Sequence, residues 1–156
     1  MEKVRWGFIG AGYIAKLALY PALLNSNDGE IYAVGSKDID RGKSLSPSGL
    51  VYTDYDELLA DPKVEAIYIS LPNSLHIEWS IKAMRAGKHV LCEKPAAMDV
   101  AQLKEAIAVA NETGLIFLEA SWNRWHPRTI RLKEIVDSGV IGDVKNIRTA
   151  FTYDGL

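Results

Sequence analysis

Gly10, Gly12 and Ala15 stand in a G-x-G-x-x-A spacing within "VRWGFIGAGYIAK", residues 4–16. An apolar run precedes them and a helical stretch follows. That context suits a strand–turn–helix in which Gly10 makes the sharp turn, Gly12 lets a diphosphate approach the backbone, and Ala15 lets the helix pack closely on a sheet. Free N–H groups of the first helical turn, at the positive end of the helix dipole, then face the anion, each favourable contact adding about 0.3–1 kcal/mol. Gly10, Ala11, Gly12, Tyr13 and Ile14 are thus expected to hold a dinucleotide, the plainer alternative being a tight turn with no ligand. A second candidate is Lys94 in "CEKP", residues 92–95. A lysine partly desolvated in a cleft lowers its pKa toward the range in which it moves a proton to or from a bound reactant. Pro95 biases Lys94 toward extended backbone and admits a cis bond, which would aim it. The plainer alternative is a surface lysine at a strand end.

The end of the second apolar run reads Ser36-Lys37-Asp38, with Arg41 and Lys43 behind it. A carboxylate at this place takes the ribose 2′-hydroxyl of NAD, whereas a cation accommodates the 2′-phosphate of NADP. Ser36 and Lys37 favour NADP. Asp38 comes slightly late but leaves NAD open. Other run ends carry Leu71, Pro72 and Asn73, with His76 one turn on; then Glu93-Lys94-Pro95; then Glu119, Asn123, Arg124 and His126. Polar and basic groups gather on one sheet edge, where open α/β sheets bind ligands. The opposite edge shows only plain turns, "DPKVE" and "AGK".

The elements that must position these groups alternate. Apolar runs at 4–10, 31–36, 66–71, 89–93 and 115–120 read as strands buried on both faces. Between most of them lie helices: Ala15–Asn25; Asp54–Ala60 with a D-x-x-E capping box of Asp54 and Glu57; Asn73–Ala86, closed by Gly87; and one starting at an Asp99 cap and ending near Gly114. Any helix in 38–50 must be short. The expected fold is α/β: a Rossmann-type doubly wound parallel sheet with helices on both faces. After Trp122 the order changes. A helix at about 127–138 is followed by "VKNIRTAFTYDG", 144–155, which alternates like an antiparallel strand and reads as the first strand of a missing C-terminal α/β domain. The expected domains are 1–122, dinucleotide-binding, and 123–156, the start of a truncated second domain.

The chain has 156 residues, 48% of them hydrophobic, and a net charge of −2 from 18 basic and 20 acidic side chains. A chain of this length buries roughly 70% of its unfolded surface. The charge balance gives no reason to expect nucleic acid or a membrane surface as partner. No apolar run spans a bilayer and "MEKVRW" lacks a signal-peptide core, so a cytoplasmic location is expected. The single Cys92 reads as a buried filler. No His, Cys and Asp cluster has metal-ligand spacing.

"GFIGAGYIA", "AIYISLPNSLHIEWSIKAMRAGKHVLCEKP" and "FLEASWNRWHP" together resemble the Gfo/Idh/MocA family of NAD(P)-dependent oxidoreductases, over essentially the whole chain. The "SK" pair and "EASWNRWHP" are most similar to its NADP-dependent dihydrodiol and D-xylose dehydrogenase branch. The resemblance implies hydride transfer between nicotinamide and a carbinol carbon of a sugar, polyol or dihydrodiol, with NADP or alternatively NAD as cofactor. It implies Lys94 facing the nicotinamide and the substrate hydroxyl, and Pro72 and Asn73 beside the nicotinamide half. It implies Glu93 orienting the cofactor ribose or the lysine. Each has a plainer alternative: a structural carboxylate for Glu93, a helix cap for Asn73, a packed histidine for His76, a salt bridge for Arg124 in place of a cofactor-phosphate or substrate contact, and a helix-start role for His126. Trp122 and Trp125 read as core or interface aromatics. The family's large C-terminal domain, which carries the substrate pocket and forms the homo-oligomer, would be absent. Two competing functions follow: a noncatalytic, truncated dinucleotide-binding domain or subunit, and, more weakly, a methyltransferase binding S-adenosylmethionine.

Overall fold

The computed structural model describes residues 2–152, which divide after Ala120 into two compact units. The first unit is built on six parallel strands: β1 (Val4–Ile9), β2 (Gly29–Gly35), β3 (Val51–Tyr52), β4 (Ala66–Ile69), β5 (His89–Cys92) and β6 (Phe117–Glu119), in the order β3-β2-β1-β4-β5-β6. The order runs outward from β1 in both directions, as expected for a doubly wound sheet. β3 is the one strand that no apolar run announced. It is two residues long and pairs Val51 and Tyr52 with Val34 and Gly35.

Alternate side chains of the strands feed two cores. On one face Ile9, Ile67, Ile69, Val90 and Cys92 pack with α3 (Tyr55–Ala60), α4 (His76–Arg85) and α5 (Val100–Thr113) through Leu58, Leu59, Ile77, Ile81, Met84, Ala106 and Val109. On the other, Phe8, Ile31, Val34 and Tyr68 pack with Ala15, Leu23 and Leu45. The Phe8 and Tyr68 rings meet edge-on, 5.1 Å apart. Each large side chain so buried contributes about 1.5–3 kcal/mol.

The helices correct the sequence reading in three places. The stretch read as one helix from Ala15 to Asn25 is a π-helical turn, Ala15–Leu19, running into α1 (Tyr20–Leu24). Pro21 is the cause. It has no N–H for the preceding turn and its ring crowds that turn's carbonyl, so the helix widens and Tyr20 N–H donates to Ala15 O. At α3 the cap forms, but Asp54 accepts from the Asp56 N–H at 2.8 Å rather than closing a box with Glu57. The stretch from Asn73 begins as a 3₁₀ turn, Asn73–Leu75, whose N-cap position is Pro72 and not Asn73. Elsewhere the reading holds. Asp99 caps α5 by accepting from Gln102 N–H at 2.8 Å, and the only helix in 38–50 is the five-residue α2 (Ile39–Lys43), capped by Asp38.

The edge of "plain turns" is held by an unexpected group. Lys88 is 6% exposed, and its ammonium donates at 2.7 Å to the carbonyls of both Asp61 and Val64, tying "AGK" to "DPKVE". Burial pulls its pKa below the ordinary lysine value.

The second unit holds a 3₁₀ turn, Trp122–Trp125, and α6 (Pro127–Asp137), whose N-cap is His126: its Nδ1 accepts from Arg128 N–H at 3.1 Å. Residues 144–152 carry no strand, which corrects the expectation for 144–155 as far as it falls on described residues; 153–155 lie outside them. Backbone N–H and C=O groups define a strand only against a neighbouring strand, and the six-stranded sheet does not include this stretch.

Cys92 is fully buried, and burial pushes its thiol up to about 12. The folded chain is therefore expected to resist iodoacetamide at pH 8 and to be alkylated once denatured. Rapid alkylation of the native chain, followed by mass spectrometry, would contradict the β5 packing.

Candidate functional site

The site lies at the carboxyl ends of β1, β2, β4, β5 and β6. At β1 the chain is gripped from both sides. Gly10 N–H donates to Gly35 O, and Ser70 N–H donates to Ile9 O, each at 2.9 Å. Ser70 Oγ adds a bond to Gly10 O at 3.1 Å. Gly10 has φ +96°, and a Cβ there would lie 2.9 Å from Ser70 O, so the turn admits no larger residue. Gly12 differs. A Cβ there would meet nothing within 4 Å. The protein's own atoms do not demand glycine at 12, and the space a side chain would fill lies open above the backbone. The ladder of the following helix starts here, with Lys16 N–H donating to Gly12 O at 3.3 Å, which leaves the N–H groups of the opening turn outside it. Ala11 is buried beneath the turn and Ile14 half-buried, while Tyr13 projects outward, 79% exposed. These residues fit a dinucleotide pyrophosphate: an open cradle over glycine, lined by backbone donors.

At the end of β2, Ser36 is 4% exposed and its hydroxyl accepts from Asp38 N–H at 3.3 Å. The Asp38 carboxylate is committed to its own helix: it accepts from Arg41 N–H at 3.0 Å and stands 3.8 Å from the Arg41 guanidinium. Lys37 is exposed and makes no ion pair among the described residues.

The loop after β5 is pinned from three elements. Tyr68 on β4, 1% exposed, donates its phenol hydrogen to Glu93 Oε1 at 2.7 Å, while Glu93 Oε2 accepts from Lys94 N–H at 3.2 Å. Burial and the carboxylate together hold the Tyr68 hydroxyl far above its ordinary pKa. Glu119 of β6 accepts from Ala96 N–H at 3.0 Å. His76 of α4, also 1% exposed, sets Nδ1 2.8 Å from Pro95 O and Nε2 2.8 Å from Leu71 O. The Lys94–Pro95 bond is cis. Between these anchors the Lys94 side chain is exposed, as are Pro72 and Asn73 on the neighbouring loop. Partial burial of Lys94 is thus not supplied by the described residues. A rim loop with every fixed contact on its backbone and flanks leaves the long side chain in solvent. His76, for which a cofactor contact and a packed role both stood open, is a packed residue with each ring nitrogen 2.8 Å from a backbone carbonyl oxygen. Arg124 lies in the second unit, on the 3₁₀ turn, with its guanidinium carbon 5.8 Å from the Trp125 ring centre.

A parallel sheet in this order, a glycine turn at its reversal point and a strand-end lysine can be set beside known proteins. The sequence matches the oxidoreductase family with an NAD-binding Rossmann fold, GFO_IDH_MocA, over residues 4–121. The chain belongs to the Gfo/Idh/MocA family. It is 44% identical over its full length to an uncharacterised oxidoreductase of Rhizobium meliloti, covering 48% of that protein. It is 34% identical to the trans-1,2-dihydrobenzene-1,2-diol dehydrogenase of Mus musculus, with 97% of this chain and 46% of that protein aligned. Among solved structures it superposes on a 3-ketoreductase from Actinomadura kijaniata in complex with NADP and TDP-benzene, with TM-score 0.83 and 38% identity over 91% of this chain and 44% of that one. The chain therefore spans under half the length of these Gfo/Idh/MocA relatives. No helix among the described residues is long and apolar enough to cross a membrane.

Sequence reasoning missed Ser70, Tyr68 and the anchoring role of Glu119. The signal for Tyr68 was a hydroxyl inside an otherwise apolar strand, "AIYISL", which demands a buried partner.

The two glycines separate fold from binding. Gly10→Ala is expected to destabilise the domain by about 1–3 kcal/mol, from forced positive φ and contact with Ser70 O. Gly12→Ala is expected to leave the urea midpoint nearly unchanged and to weaken dinucleotide affinity about tenfold or more. Equal loss of stability in both variants, by urea titration, would refute the distinction.

Proposed function

We propose that this chain is the cofactor-binding half of an NADP-dependent oxidoreductase that transfers a hydride between nicotinamide and a carbinol carbon of a sugar, polyol or dihydrodiol. Residues 1–122 form the dinucleotide domain, and 123–156 open a domain for substrate and homo-oligomer contacts. The observation that carries the reading is one sheet edge bearing both an open glycine cradle and a lysine on a loop braced from three sides. The relatives named above support the reaction class.

When bound, the dinucleotide supplies nicotinamide C4 as hydride donor or acceptor. Backbone N–H groups of residues 10–14 hold its pyrophosphate. Ser36 and Lys37 hold the 2′-phosphate, because Asp38, the carboxylate next to Lys37, is already spent on a helix cap and on Arg41. Leu71, Pro72 and Asn73 flank the nicotinamide half, and Arg124 takes a phosphate or a substrate oxygen. In the reducing direction the Lys94 ammonium gives a proton to the carbonyl oxygen as the hydride reaches its carbon; in the oxidising direction the neutral amine takes the hydroxyl proton back. Glu93, held by Tyr68, fixes the lysine's backbone and so its reach.

Calorimetric titration of this chain is expected to give tighter binding of NADP than NAD, by about tenfold, since one charge-assisted contact is worth about 1.4 kcal/mol or more. Lys37→Glu should reverse the order, and tighter binding of NAD by the wild type would overturn the cofactor assignment. In the protein at its full natural length, Lys94→Ala should lower kcat by about 10²–10⁴ while NADP affinity stays within about threefold. An unchanged kcat would remove Lys94 from the chemistry. Turnover by these 156 residues alone would refute a noncatalytic binding role.

A further inference from the structure

We infer that His76 is a positioning residue: its imidazole is the strut that sets the Lys94–Pro95 loop against the Leu71–Pro72–Asn73 loop. The inference rests on the oxidoreductase reading for its consequence and on geometry for its substance.

The ring is 1% exposed and touches neither loop through packing alone. Nδ1 lies 2.8 Å from Pro95 O, nineteen residues along the chain, and Nε2 lies 2.8 Å from Leu71 O. Both partners are carbonyls, which only accept. A ring with hydrogen on both nitrogens donates to both, and a ring with one donates to one. Either way no water or ligand atom is left a place on it. The two carbonyls belong to the residues on either side of the proposed nicotinamide-facing positions, Pro95 just after Lys94 and Leu71 just before Pro72. His76 begins α4, whose Ile77, Ile81 and Met84 are locked into the core, so the strut stands on a rigid base. Ser80 Oγ donates to His76 O at 2.6 Å and holds that turn in place.

The other two anchors act elsewhere on the loop. Glu93–Tyr68 fixes the chain before Lys94, and Glu119 fixes Ala96 after Pro95. His76 reaches both loops, and so fixes the separation between the lysine and the neighbouring loop.

Two substitutions divide the strut. An Asn amide reaches near the place of Nδ1 and a Gln amide near that of Nε2. His76→Asn keeps a donor for Pro95 O, and His76→Gln keeps one for Leu71 O. In the protein at its full natural length, His76→Gln is expected to lower kcat about 10²-fold, the scale of a misplacement near 1 Å, with KM for NADP within about threefold. His76→Asn, which frees the Leu71 end, is expected to lower kcat as well, since either cut severs the span. A kcat near wild type in both variants overturns the inference, as does a loss of kcat in step with a fall in the urea midpoint, the mark of a merely structural histidine. Should either variant fail to fold, nitrogen-15 spectra of the wild-type 156-residue chain decide. A His76 ring N–H protected from solvent exchange supports the strut, and rapid exchange of that proton removes it. If wild-type calorimetry shows no dinucleotide binding, the proposed function fails, and the ring spectrum still reports on the strut independently.

Discussion

Everything at the ligand edge depends on the single peptide that joins Ile9 to Gly10. Its carbonyl accepts from Ser70 on one side, and its N–H donates to Gly35 on the other. The chain is therefore held by both neighbours of β1 at the point where β1 ends. Those neighbours continue outward in opposite directions, and their helices cover opposite faces. A crevice must open where the two connections part, and that crevice is where open α/β sheets take their ligands. Ser70 also closes the space beside Gly10, so the backbone can only turn up and away with positive φ. The helix start, its free N–H groups and the room above Gly12 all follow from that direction.

The positions of the strands were legible because a strand buried on both faces has to be apolar at nearly every position. β3 was not, since two residues between β2 and α3 leave no periodicity to read. The π turn had its signal in Pro21, but a proline six residues past the start of a helical run predicts a disturbance without saying which kind. The alternation at 144–152 was real as a pattern and produced no strand, because alternation describes which face would be wet and not whether a neighbour exists to pair with. Lys88 shows the opposite error. In sequence it looked like a turn residue beside glycine; in the fold its ammonium replaces water with two carbonyls and sews two loops together.

At the candidate site the glycine turn was legible because stereochemistry restricts which residues serve there, and the E-K-P loop because that tripeptide carried the family resemblance. Their supports were not. Tyr68 and Glu93 lie twenty-five residues apart, and Ala96 and Glu119 twenty-three. No local pattern encodes such pairs, which exist only once β4, β5 and β6 lie side by side. His76 stood between a cofactor contact and a packed histidine; the enclosure of its ring between two carbonyls is a long-range fact that no local pattern encodes.

These supports explain how an exposed lysine can still be aimed. Ordering a backbone residue costs about 1–2 kcal/mol, and a long flexible side chain about as much again. In the loop after β5 the backbone cost is met during folding by Glu93, His76 and Glu119, all acting within two residues of Lys94. Only the side-chain torsions remain to be settled when a ligand arrives. On the proposed reading, a fixed backbone under an exposed side chain suits one amine to both directions of a proton transfer. It also accounts for the division of labour in the surrounding residues. The groups that hold the loop are buried, or spend their polar atoms on protein partners, while Lys94, Pro72 and Asn73 are exposed.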